Sequence, residues 1–173
     1  MLQEVSEEIE KTAKSVTDQV HTALPGKIVS YQKGFVSVKP YGKFCTSSGE
    51  SMEYPVISKV PLVFPFCNSA NVGVGFPVRT GDDCLIVISE VELDAWISGG
   101  DSDSPLRFDL TSAIAIPGLM KSEPSVVQRA ISENAVVVGS SSCYLSIGLS
   151  GIKLNGNVSI DGNVVYSGTF TKR

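Results

Sequence analysis

The chain has 173 residues, 42% of them apolar and 18% charged, with a formal net charge of −4. That length accommodates one well-packed domain with appendages, and the acidic balance argues against nucleic acid as a partner, which calls for clustered Lys and Arg. No apolar run reaches the roughly 18–20 residues of a membrane span, and the acidic start MLQEVSEEIE lacks the apolar stretch of a signal peptide. Cys45, Cys67, Cys84 and Cys143 are widely spaced with no CxxC pair. They read as reduced thiols, mostly buried, of a protein made in a cytoplasm rather than as a disulfide or zinc framework.

Residues 1–24 read as an N-terminal helix. Leu2, Val5, Ile9, Ala13, Val16, Val20 and Leu24 step by three or four and form one apolar stripe. Glutamates at 4, 7, 8 and 10 suit the positive end of the helix dipole, and Pro25-Gly26 is the expected stop. The stripe could pack within the chain or between subunits.

Residues 25–118 read as mostly β. GKIVSYQKGFVSVKPYGKF holds two short runs divided by a turn near Gln32-Lys33-Gly34. YPVISKVPLVFPF carries Pro55, Pro61 and Pro65, which marks an edge or irregular strand. Cys84 to Ile88 is an apolar run fed by a Thr80-Gly81-Asp82 turn and reads as a buried central strand. SEVELDAWIS reads as a short helix with Ser89 as N-cap, and AIAIPG as a last strand and stop. About five strands and one small helix in this span suggest a small barrel of the OB type.

Residues 119–134 read as a connector. From 135 to 173 come AVVVG, CYLSIG, IKLNG, NVSIDG, NVVYSG and TFTKR, pieces too short to fold as separate hairpins with a core of their own. The end of the chain divides into the hexads LNGNVS, IDGNVV and YSGTFT, with Gly156, Gly162 and Gly168 in step. Each hexad is a short strand plus a tight turn, and repeats of that length stack into solenoids. Three hexads are too few for a single-chain solenoid with its own core, and an unpaired stack leaves open edges. Three chains wound together solve both problems, so a homotrimer is expected, with Leu154, Val158, Ile160, Val164 and Phe170 in its core. A pair of hairpins packed on the barrel is the alternative.

The order of these parts resembles the central spike proteins of contractile-tailed bacteriophages and related injection systems. The likeness is densest in ALPGKIVSYQKGFVSVKP, in VGVGFPVRTGDDCLIVISEVELDAWISGG and in RFDLTSAIAIPGL, and with the Asn-Gly hexads it covers most of residues 22–173. Gly81, Asp82, Asp94, Trp96, Arg107, Asp109, Pro117 and Gly118 carry the family pattern. The resemblance implies a mainly β protein: an N-terminal helix, an OB-fold barrel, then an intertwined trimeric β-helix. It implies a virion protein of the tail baseplate that docks on a hub protein, touches the host outer membrane transiently and pierces it when the sheath contracts. Neither a catalytic residue nor a cofactor is expected. Larger spikes of that family hold iron through a His-x-His pair at the apex, whereas the single histidine here is His21, so no metal site is expected. The short needle is read either as capped by a separate tip protein at the C-terminus, the favoured reading, or as a blunt trimer that suffices by itself.

Other constellations fall short. Asp101-Ser102-Asp103-Ser104 lacks the glycine and distal glutamate of an EF-hand. Gly73-Val74-Gly75 runs into Pro77 where a dinucleotide fingerprint needs a helix. Ser140–Ser142 lack the second glycine of a nucleophile elbow. Asp82, Asp83, Glu90, Glu92 and Asp94 read as a solvated acidic face or a patch for a basic partner, Trp96 as a core or interface anchor, and His21 as a cap at the helix end. The competing function is an OB-type module for single-stranded nucleic acid or glycan, with aromatics at Tyr31, Phe35, Tyr41 and Phe44 and charge at Lys27, Lys33, Lys39 and Lys43. It leaves the hexads unexplained.

Overall fold

In the computed structural model the described residues are 2–18, 20–46, 49–101 and 103–169. They fall into two compact units, Met1–Leu119 and Met120–Arg173.

The first unit is built on β1 (Ala23–Gln32), which pairs antiparallel with β2 (Phe35–Pro40). Two short hairpins follow: β3 (Lys43–Cys45) with β4 (Ser51–Glu53), and, after β5 (Ile57–Pro61), β6 (Phe66–Cys67) with β7 (Val72–Gly73). The interior strand β8 (Asp83–Ile88) pairs with β1 on one side and with β9 (Ala113–Pro117) on the other. The sheet order is β5-β2-β1-β8-β9, and its two edges meet at a parallel bridge between Leu62 and Ala115. The sheet is thus curled into a half-barrel around its own apolar face. Period-two alternation fills that face with Ile28, Val36, Val38, Ile57, Val60, Cys84, Ile86, Ile88, Ala113 and Ala115, all buried. Of the four cysteines, expected to be mostly buried, Cys84 alone is; Cys45 and Cys67 lie in short hairpins and Cys143 just before a strand, all three exposed. Burial pushes the Cys84 thiol up to about 11, with the neighbouring Asp83 charge adding to it.

Four expectations need correction here. The N-terminal helix α1 is Leu2–Asp18, so Val20 and Leu24 continue the stripe only in sequence, and Leu24 lies in β1 paired with Ile86. Pro25 and Gly26 are strand residues opposite Leu85 and Cys84. Pro25 lacks an N–H, but its carbonyl accepts from the Tyr41 N–H at 2.8 Å. The short helix α2 is Asp94–Ser98, flanked by Leu93 rather than capped by Ser89. His21, intended as a helix cap, lies past the helix and meets Tyr54 edge-on at 5.7 Å.

The second unit begins with α3 (Ser125–Glu133), followed by β10 (Val136–Gly139), β11 (Tyr144–Gly148) and β12 (Gly151–Asn155). These strands form one antiparallel sheet in the order β10-β11-β12. Here too the structure departs from expectation: AVVVG, CYLSIG and IKLNG pair within one chain, supported by α3. Residues 156–169 carry no strand assignment, and the trimeric winding expected from residue 135 onward is not seen within this single chain. Phe170 lies outside the described residues.

Candidate functional site

The residues of the family pattern divide into those that shape loops and those that face outward. Asp82 closes its own turn, its carboxylate accepting from the Arg79 N–H at 2.7 Å. The turn is stitched to β1: Ile28 donates to the Asp82 carbonyl at 2.9 Å, Gly81 donates to the Ile28 carbonyl at 2.8 Å, and the Thr80 hydroxyl donates to the Val29 carbonyl at 3.0 Å. Gly81 has φ of +98°, a conformation that glycine adopts without steric cost. Lys27 completes the stitch through Asp83 at 3.0 Å. The Arg107 guanidinium donates to the Ser104 and Leu106 carbonyls at 2.8 and 2.9 Å and folds the 104–107 loop onto itself. Asp109 caps the short 3-10 turn Leu110–Ser112. Hydrogen bonds from the Thr111 hydroxyl and N–H hold its carboxyl below the usual range, with a further contribution from the His21 charge. Pro117 ends β9 opposite Cys84, and Gly118 turns the chain out at φ +94° while donating to the Asp83 carbonyl.

Asp94 and Trp96 face outward. Trp96 is 70% exposed on α2, so it is no core anchor. Asp94 borders a groove of about 760 Å³ that runs over β1, β2 and β5.

In the second unit the two sheet faces differ sharply. Cross-strand pairing aligns Val136, Ile147 and Ile152 in one row and Val138, Leu145 and Leu154 in the next. These six aliphatic side chains share one face, and among the described residues five of the six are exposed, Ile152 at 71% and Leu154 at 59%, with Leu145 half-buried. The opposite face is clamped to α3 by polar contacts. Arg129 lies 4.1 Å over the Tyr144 ring and donates to its Oη at 3.0 Å, and the Ser146 hydroxyl donates to Glu133 at 2.9 Å. That bond from Ser146, with a lesser one from Arg129, holds the Glu133 carboxyl below its ordinary value.

Of the expected trimer-core residues, Leu154 belongs to this apolar face, while Val158, Ile160 and Val164 follow it along the chain, all exposed. The hexad glycines Gly156, Gly162 and Gly168 share one backbone state, with φ of +119°, +135° and +142°. Five members of the apolar face, Val136, Val138, Leu145, Ile147 and Ile152, were not singled out from sequence. Their alternation is visible there, but which strand pairs with which is not. Among the described residues no group of three or more His, Cys, Asp or Glu is arranged to hold a metal ion, and no helix is long and apolar enough to cross a membrane.

The family model described as phage protein Gp138 N-terminal domain matches residues 24–118, more than half of the chain and the whole of the half-barrel from Leu24 to Gly118. No curated protein matches the chain.

Proposed function

The chain belongs to the family of phage proteins that carry the Gp138 N-terminal domain, and from that premise we propose that it is a structural spike of a contractile tail baseplate, working as a homotrimer in the virion. The half-barrel supports docking on a hub protein. Its five strands, with the edges joined at a parallel bridge, support reading it as a barrel of the OB type. Its role is mechanical rather than catalytic.

The observation that carries this reading is the uncovered aliphatic face of β10-β11-β12, continued by the apolar residues of the hexads. A face of this kind is costly in water and is characteristic of an association surface. Three copies turned inward would bury it around a common axis, and the segments from Gly156 onward would then wind into a β-helix whose backbone groups pair between chains. A stack of that kind resists bending and compression because its ladder is continuous, which suits a tip driven through the outer envelope on sheath contraction. Burying what remains exposed of Ile152 and Leu154 (71% and 59%) alone contributes about 2–4 kcal/mol per chain.

The test is the solution mass of the full chain by light scattering, against the double variant Ile152→Asp, Leu154→Asp. We expect three times the chain mass of 18.3 kDa for the wild type and a monomer with unchanged β signal for the variant, since both side chains are exposed in the single chain. A monomeric wild type at tens of micromolar, or a variant that stays trimeric, overturns the reading.

A further inference from the structure

We propose that the groove over β1, β2 and β5 binds an anionic saccharide, a sugar chain carrying phosphate or carboxylate groups. The inference rests on the groove alone and stands or falls independently of the spike.

The floor of the groove is a row of hydroxyls. Ser30 and Ser37 are cross-strand partners, and Ser58 follows on β5; all three line the cavity. Neighbouring strands lie about 4.8 Å apart, so the row offers alternating donors and acceptors at a spacing that suits the hydroxyls of a sugar ring. Phe35 and Ile97 supply apolar surface for the carbon face of such a ring, and Asp94 on the same lining offers a carboxylate to sugar hydroxyls.

The charge comes from Lys33 and Lys59, both on the groove. Each occupies a backbone position made for another residue. Lys33 has φ of +48° and precedes Gly34 at +87° in the two-residue turn between β1 and β2, where Asn-Gly is the favoured pair. Lys59 has φ of +58°. It lies in a bulge of β5, where Ser58 and Lys59 oppose the single residue Ser37 between the pairs Val36↔Val60 and Val38↔Ile57. Glycine is the usual occupant of such a bulge position. Two strained lysines at the rim of one cavity point to a role for their side chains. The contrast with their neighbours supports this. Lys27 and Lys39 are engaged with Asp83 and Glu53, whereas among the described residues Lys33 and Lys59 have no ion-pair or hydrogen-bond partner. Single-stranded nucleic acid fits less well, because Phe35 is the one aromatic ring among the residues that line the groove, whereas successive bases need several stacking platforms.

The test is calorimetric titration of the full chain with trigalacturonate and with phosphorylated mannopentaose, against maltotriose, inorganic phosphate and a thymidine decanucleotide. Both anionic sugars should bind, more weakly as salt rises, and more tightly than any of the three controls. Lys33→Asn with Lys59→Asn should weaken binding about a hundredfold, about tenfold per lost charged hydrogen bond. The same variant should melt no lower than the wild type, because asparagine tolerates positive φ better than lysine. Absence of binding by both anionic sugars, undiminished binding by the double variant, or tighter binding of any control overturns the proposal.

Discussion

Arg129 tests whether the second unit is held together as the geometry states. Its guanidinium covers the Tyr144 ring at 4.1 Å, donates to the Tyr144 Oη at 3.0 Å, and pairs with Glu133 at 3.2 Å one helical turn on. With the Arg129 side chain about one-third exposed, the ring contact is worth about 1 kcal/mol and the hydrogen bond about 1 kcal/mol. The Glu133 pair adds only a few tenths. Arg129→Ala should therefore loosen the unit by about 2 kcal/mol, which speeds amide hydrogen exchange across β10 and β11 about thirtyfold if those amides exchange by local opening. Arg129→Lys keeps a cation but loses the planar fork, and should fall about halfway. Tyr144→Phe removes only the hydroxyl, and its cycle with Arg129→Ala should show a coupling of about 0.5–1 kcal/mol. Exchange that changes less than threefold in Arg129→Ala, or a coupling of zero, refutes the clamp.

Gly26→Ala should destabilise the half-barrel by about 1–3 kcal/mol, because the new methyl collides with Ile86 Cδ1 and comes 3.0 Å from the Lys39 carbonyl. Adding Ile86→Val removes that Cδ1, so chemical denaturation of the double variant should recover part of the loss relative to Gly26→Ala in an Ile86→Val background. The Glu133 carboxyl titrates below its ordinary value of 4.5, so its contribution is complete above that value and is lost as pH falls through the lowered one. Acid titration of β11 exchange should show this loss in the wild type and not in Glu133→Gln; an identical acid profile in both discards the assignment. With the Cys84 thiol buried and raised to about 11, a thiol reagent at neutral pH should modify exposed Cys67 and spare Cys84 until the protein is unfolded. Equal labelling rates would contradict the buried core.

Local signals were legible wherever they coincide with tertiary demand. The run from Cys84 to Ile88 reads as a buried interior strand because an unbroken, largely β-branched apolar run agrees with its place between two partners. The prolines of the β5 segment marked an edge, and β5 bonds along its length only to β2. The helix stripe misled at its end, since Val20 and Leu24 keep the helical period while Leu24 gains a strand partner in Ile86. The hairpins β3-β4 and β6-β7 are two or three residues per strand, too short for any period to register. Trp96 illustrates a different limit: residue type favours burial, but α2 is a single turn with no buried residue. The groove was illegible for a similar reason. The turn at Lys33-Gly34 shows in the sequence, but the bulge that turns Lys59 toward it exists only in the register between β2 and β5.

The apolar row of the second unit and the hexads are one feature rather than two. Leu154 is at once the last aliphatic residue of the β10-β11-β12 face and the first residue of the first hexad. The next apolar hexad opener, Ile160, is six residues on and remains exposed. Within one chain the apolar row therefore runs off the end of the sheet that begins it. A two-layer answer, in which the hexads fold back to cover the sheet, would bury Ile152 and Leu154, and both are exposed. The proposed trimer would answer this by repeating the same face in copies of the chain, with each hexad glycine turning its strand to the next layer. On that reasoning the sheet is the seed of the winding, because it presents two complete apolar rows before the first hexad glycine is reached.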